Sequence, residues 1–205
     1  MPPVLLLRHG QSTWNAEGRW QGWADAPLSD EGLRQAVEMA TRLASADVRF
    51  TRVVSSDLSR SIDTAAVMAQ ALELGDVALE PDLRERDVGD WSGRTTEEID
   101  IIWPGAVAAW REGRLDRPPG GELEPAFRAR VVRVVERLAA GPDGLVLAIT
   151  HGGVIRALHR HLGVEPPSTQ NLGGRWFDLA ADKRLRAGEH EGLPEVPEET
   201  ITTAL

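Results

Sequence analysis

With 205 residues, 41% of them hydrophobic and 27% charged, the chain has room for one ordinary domain and the composition of a soluble globular protein. A net charge of −9 leaves no basic stripe for nucleic-acid phosphates, and the lack of cysteine excludes disulfides, thiolate metal sites and thiol nucleophiles. No apolar run approaches membrane-spanning length and no basic leader opens the chain, so neither nucleic acid nor membrane is an expected partner and a cytoplasmic location is expected.

Strand-like and helix-like segments alternate along the chain. That pattern predicts an α/β fold, a three-layer α/β/α sandwich around a mainly parallel sheet. Val4 to Leu7 reads as a buried strand that runs straight into Arg8-His9-Gly10, followed by Gln11, Ser12 and Asn15. A polar loop from Gln11 to Leu28 carries Trp14, Trp20 and Trp23. A helix then runs from about Ser29 to Ser45, with Leu33, Val37, Ala40 and Leu43 expected on one face. Arg52 to Ser55 is a short strand, and Asp57 or Ser59 is the expected cap of a long helix through Ile62, Ala66, Met68 and Leu72.

Val77 to Leu79 is the third expected strand, ahead of the charged loop Leu83 to Asp87. Between Trp91 and Gly121 the pattern supports two short helices, near Glu97–Ile102 and Ala106–Arg111, and a Pro118-Pro119-Gly120-Gly121 break. An amphipathic helix over Glu122 to Leu138 points Phe127, Val131, Val134, Val135 and Leu138 inward. The Leu145–Thr150 strand leads into His151-Gly152-Gly153, a helix from Val154 to Leu162 and a final hairpin over Arg175–Leu179 and Arg184–Arg186. Residues 1–188 read as one domain. Residues 189–205, with five acids, no Lys or Arg and two prolines, read as a largely disordered acidic tail.

Two buried strands that each end in His-Gly place two imidazoles at one sheet edge, where an open α/β sheet holds anionic ligands. His9 can attack phosphorus through one ring nitrogen while the other donates to a backbone carbonyl. Arg8 and Asn15 supply donors to phosphoryl oxygens, and Arg60, in the first turn of a helix that follows a strand, aims toward the same edge. Glu85 and Asp87 are both candidates for the proton donor that a leaving group needs. The turn at His151 and Gly152 offers helix-start N–H groups to an anion. Taken singly, each segment also has a plain structural reading: a strand-end His with local bonds, a solvated Arg, a charged surface loop, a tight turn.

Taken together and in this order, four stretches resemble the histidine phosphatase superfamily, the phosphoglycerate-mutase-like enzymes. They are the Arg8-His9-Gly10 opening with Asn15, Ser55-Ser56-Asp57-Leu58-Ser59-Arg60, Leu83-Arg84-Glu85 with Gly89-Asp90-Trp91, and His151-Gly152-Gly153. The resemblance spans about Val4 to Leu179. It implies His9 as the nucleophile forming a phosphohistidine, Arg8, Arg60 and His151 as the rest of the phosphate pocket, Asn15 as a further donor, and Glu85 rather than Asp87 as the acid. Gln21 and Gly22 match loop residues beside the transferred phosphate, and Gly152, at the helix start, is a further substrate-binding candidate. The family uses no metal, no cofactor is expected for this chain, and a homodimer rests on family analogy alone.

The opening also resembles the cofactor-dependent phosphoglycerate mutases. Those enzymes hold the substrate carboxylate with a Tyr and a Lys after the proton-donor region, whereas this chain has no Tyr and its only Lys is Lys183. Arg86, Arg94, Arg111 or Arg114 are the candidate substitutes. The resemblance therefore favours a metal-independent phosphomonoester hydrolase of small phosphorylated metabolites, close to the broad-specificity and sugar-phosphoglycerate phosphatases. A phosphoglycerate mutase and a non-catalytic phosphoester-binding relative are the alternatives. Trp91, Trp103 and Trp110 either line a cover over the pocket or form core. A dinucleotide-binding reading fails for want of G-x-G-x-x-G after the first strand.

Overall fold

The computed structural model describes residues 3–142, 144–165 and 170–188, so the predicted acidic tail lies outside the described residues. In chain order the elements are β1 (Val4–Arg8), α1 (Thr13–Ala16), α2 (Asp30–Ser45), β2 (Phe50–Ser55), α3 (Ser59–Ala71) and β3 (Ala78–Leu79). Then come α4 (Thr96–Ile102), α5 (Ala106–Arg111), α6 (Glu124–Ala139), β4 (Leu145–Thr150), α7 (Gly152–His161), β5 (Gly174–Leu179) and β6 (Leu185–Gly188).

The six strands form one sheet in the order β3-β2-β4-β1-β5-β6. β1 to β4 run parallel, and β5 joins β1 antiparallel and closes the hairpin with β6. The apolar run Val4–Leu7 has no polar face because both sides of the sheet are covered. Val4 and Leu6, with Val146 and Ala148 of β4, pack against Phe127, Val131, Val134 and Leu158 from α6 and α7. Leu5 and Leu7, with Leu147 and Ile149, pack against Met39, Leu43, Ala65 and Met68 from α2 and α3. This is the expected three-layer α/β/α arrangement.

The helix that follows β1 thus covers one face and the helix that follows β4 covers the other. β1 and β4 are neighbours with Arg8 opposite Thr150, so the crevice where the layers diverge opens at the end of these two strands.

Several sequence expectations are corrected. On α2 the buried face is Gly32, Ala36, Met39, Ala40 and Leu43, while Leu33 and Val37 are exposed, because the helix is rotated so that Gly32 meets the backbone of Gln11. Neither Asp57 nor Ser59 caps α3. Asp25, from the loop between α1 and α2, accepts from Ser59 N at 2.7 Å, and Asp57 forms a bidentate pair with Arg84 at 2.6 and 2.5 Å. Ala66 is exposed, and the buried positions of α3 are Arg60, Ser61, Thr64, Ala65, Met68 and Ala69. α7 begins two residues earlier than expected, at Gly152, and α6 two residues later, at Glu124. The polar loop after β1 contains the unexpected one-turn helix α1, closed by a capping box between Ser12 and Asn15.

Candidate active site

The site is built from strand ends. His9 follows β1 and its backbone N donates to Thr150 O at 2.9 Å, which extends the ladder one step and pins the residue beside His151. Both imidazoles are buried, and their ring centroids lie 5.1 Å apart. His9 Nδ1 is 2.6 Å from Gly10 O. A carbonyl can only accept, so Nδ1 carries the proton and Nε2 keeps its lone pair. Gly10 permits this because a Cβ there would lie 2.5 Å from Gly32 O.

Arg60 enters from the first turn of α3. Its Nε donates to His9 Nε2 at 3.3 Å, while its terminal nitrogens donate to Ala24 O at 2.7 Å and Gly22 O at 2.9 Å. The guanidinium is thereby fixed across the His9 ring. A terminal nitrogen of Arg60 also sits 3.4 Å from His151 Nδ1, which must act as acceptor, so His151 Nε2 donates to Ser56 Oγ at 2.9 Å. Thr64, one turn along α3, accepts from Gly10 N at 3.1 Å and ties the two walls together.

Electrostatics keep both imidazoles neutral. Burial first, then the positive charges of Arg60 and Arg8, hold His9 well below the usual imidazole range. Burial, Arg60, His9, Arg8 and Arg130 do the same for His151. Arg8 is pushed down to about 10, by burial and then by Arg156. Arg60 falls to about 10, chiefly by burial. Both guanidiniums stay charged at neutral pH, so the pocket presents cations around an unprotonated ring nitrogen.

Glu85 approaches from the loop between β3 and α4. Its carboxyl accepts from Arg86 N at 2.8 Å and Gly153 N at 3.0 Å, which orients both oxygens. Glycine is required at 153, since a Cβ would come within 2.0 Å of Glu85 Oε1. Asp87, the other candidate acid, turns back on its own loop and accepts from Gly89 N at 2.9 Å.

The remaining predicted residues sit nearby in supporting roles. Asn15 commits its carbonyl oxygen to Ser12 N at 3.2 Å, so its amide nitrogen is the group left to donate. Gln21 accepts from Ser12 Oγ at 2.8 Å, and Gly22 acts through its carbonyl on Arg60. Gly152 opens α7 beside Arg8.

Four residues that sequence reasoning missed complete the shell. Ser56 holds His151, and Asn171 Nδ2 donates to His9 O at 3.0 Å. Arg130 gathers the acid loop by donating to the carbonyls of Asp82, Arg84 and Glu85 at 2.7–2.8 Å while pairing with Glu122. Arg156 lies beside Arg8 and Gly152. An Arg inside the apolar stripe Phe127-Val131-Val134 was the available signal for Arg130; Arg156 carried none beyond sharing a helix face with Gly152.

The histidine phosphatase superfamily (branch 1) model matches residues 4–190. The chain belongs to the histidine phosphatase superfamily. It is 39% identical over 199 residues to a glucosyl-3-phosphoglycerate phosphatase of Mycolicibacterium vanbaalenii, covering 88% of this chain and 85% of that one. It is 39% identical over 159 residues to a metal-independent phosphoserine phosphatase of Arabidopsis thaliana, covering 76% and 66%. A mycobacterial glucosyl-3-phosphoglycerate phosphatase solved with VO3 superposes with a TM-score of 0.79 at 33% identity, over 93% of this chain and 99% of the other. The chain is an enzyme of the phosphomonoesterase type, and among the described residues no helix is long and apolar enough to cross a membrane.

The three tryptophans that the sequence left between cover and core, Trp91, Trp103 and Trp110, all join an apolar cluster. Trp91 is fully buried and packs edge-to-face with Trp20 and Trp110 in a third apolar cluster with Val88, Ile99 and Val107. Trp103 packs against the margin of the same cluster. Trp23, from the loop after β1, is exposed, and its Nε1 donates to Glu85 O at 2.7 Å.

Proposed function

We propose that the chain hydrolyses small phosphomonoesters through a phosphohistidine on His9. The observation that carries this is the His9 tautomer, with Nδ1 tied to Gly10 O and Nε2 held unprotonated between Arg60 and the neutral His151.

The proposed reaction has two balanced halves. His9 Nε2 forms a bond to phosphorus as the ester P–O bond breaks, and a proton from the Glu85 carboxyl goes to the departing oxygen. Water then forms a bond to phosphorus as the N–P bond breaks, and Glu85 takes the water's proton. Arg8, Arg60 and the Asn15 amide stabilise charge on the non-bridging oxygens. The relatives' names supply the substrate class: a phosphorylated glyceric acid derivative or phosphoserine, each a small acid with one phosphomonoester. A cytoplasmic location and a homodimer accompany this reading as family-level expectations.

The test is trapping. Brief incubation with a labelled phosphomonoester in EDTA, quenched in alkali, is expected to give an alkali-stable, acid-labile phosphoenzyme that maps to His9. His9→Ala is expected to abolish it and to lower turnover by about 10⁴-fold or more. Isomerisation of 3-phosphoglycerate that outpaces release and needs a bisphosphoglycerate primer would instead establish a mutase. A wild-type enzyme that turns over no phosphoester and traps no phosphate would be a binding relative.

A further inference from the structure

The sequence offered Arg86, Arg94, Arg111 and Arg114 as replacements for a missing carboxylate clamp, and the structure commits three of them elsewhere. Arg86 is buried, donates to Glu122 O and Asp116 O, and lies over Trp110. Arg94 donates to Asp90 O and covers Trp103, and Arg114 pairs with Glu112. Arg111 is exposed in the last turn of α5. Around the pocket Arg84 pairs with Asp57, and Arg130 holds Glu122 and the carbonyls of the Glu85 loop.

Arg156 differs from all of these. It sits one turn beyond Gly152 on the same face of α7, and helical side chains lean toward the N-terminus, so its guanidinium folds back over the start of the helix. A Cβ on Gly152 would lie 2.9 Å from an Arg156 terminal nitrogen and 3.5 Å from Arg8 Cδ, which puts the two arginine side chains side by side. Among the described residues Arg156 makes no hydrogen bond and no ion pair.

Two partly buried guanidiniums packed together repel, and among the described residues the one carboxylate that offsets Arg156 is Glu85, whose two oxygens already accept from Arg86 N and Gly153 N. Glu85 is also the group that carries a proton into the reaction, and in that form it offers Arg156 no countercharge. A half-buried cation left in this way is a site for an anion that arrives with the substrate.

Resting on the phosphatase reading above, we propose that Arg156 binds a second anionic group of the substrate, a carboxylate carried on the same short carbon chain as the phosphoester. A single guanidinium fork matches the two oxygens of a carboxylate. Arg8, Arg60, Asn15 and His151 remain for the phosphoryl group. Specificity then comes from spacing, because the acid must reach Arg156 while phosphorus sits on His9 Nε2.

Matched substrate pairs that differ in the carboxylate test this: O-phosphoserine against O-phosphoethanolamine, and 3-phosphoglycerate against glycerol 3-phosphate. The wild-type enzyme is expected to prefer the acid of each pair by tenfold or more in kcat/KM, largely through KM. Arg156→Gln is expected to shrink that preference at least tenfold, and Arg156→Lys to restore part of it. Wild-type ratios near one, or equal losses on both members of each pair in Arg156→Gln, would overturn the subsite. Hydrolysis of p-nitrophenyl phosphate with a trapped phosphohistidine, but of none of the four metabolites, would also overturn the subsite while leaving the phosphatase reading intact. Failure to trap phosphate from any substrate would remove the phosphatase reading itself.

Discussion

The two halves of the pocket are held by different kinds of bond. On the phosphate side His9, Arg8 and His151 lie on or one residue beyond a strand, and the ladder between β1 and β4 sets their spacing. Arg60 lies in the first turn of a helix whose start is capped by Asp25. On the leaving-group side Glu85 belongs to a loop with little regular structure. Its place is set by side chains from distant segments: Arg130 on three carbonyls, Trp23 on Glu85 O, and Thr150 on Leu83 O at 2.8 Å. A proposed nucleophile on a rigid sheet edge is robust to single substitutions nearby, whereas a proposed acid hung from a few long side chains is not.

The largest separation of the two halves comes from Glu85→Gln. Removing the proposed proton source is expected to slow turnover of alkyl phosphates by about 10²–10⁴-fold. A p-nitrophenolate leaves without needing that proton, so its ester is expected to lose much less. Steady-state kcat on the two substrate types measures this, and equal losses would take Glu85 out of the acid role and merge the halves into one cooperative site.

A smaller effect is expected from Arg130→Met. The variant deletes the guanidinium that holds three loop carbonyls and leaves Glu122 without its partner. Both side chains are mostly buried, at 10% and 16% exposure, so the loss is expected near the low end for a broken buried pair, about 3 kcal/mol. For a chain of this size that is roughly 6–12 °C in melting temperature. The sharper readout is the ratio of alkyl to p-nitrophenyl turnover, which is expected to fall as Glu85 loses its orientation. A melting loss with no change in that ratio would show that the Arg130–Glu122 pair supports the fold alone.

How far each half was legible in the sequence follows the same division. His9, Arg60 and His151 could be found because an apolar strand and a polar turn are contiguous in sequence, and a buried strand has one exit. The sheet and both layers followed from alternation, since the run Val4–Leu7 needs cover on both faces. The rotation of α2 was not legible. Leu33 and Val37 look like core until the close approach of Gly32 to Gln11 turns them outward. Nor were the caps, because Asp25 reaches α3 across 34 residues of chain. Arg130 and Arg156 were missed for one reason: an arginine declares its role through what its fork meets, and those partners are tens of residues away or arrive with the substrate.

The smallest expected effect tests the phosphate half without any substrate. His9 and His151 both have folded-state values depressed below the ordinary 6.5 by burial and by the neighbouring arginines. The unfolded chain therefore binds protons that the native site refuses once the pH drops through 6.5. Stability from these neutral imidazoles is complete above that value and declines as pH falls toward the depressed native values. The decline can reach about 1.4 kcal/mol per pH unit for each histidine. Other groups that titrate in this window, His159 with its own lowered value among them, contribute to wild type and variant alike, so the useful quantity is a difference. Urea unfolding at pH 7.5, 6.5 and 5.5 is expected to show a shallower loss in His151→Gln than in wild type, by about 1 kcal/mol at the lowest pH. Parallel curves would mean that His151 titrates as an ordinary surface imidazole, and the electrostatic contrast between the two halves would fall with it.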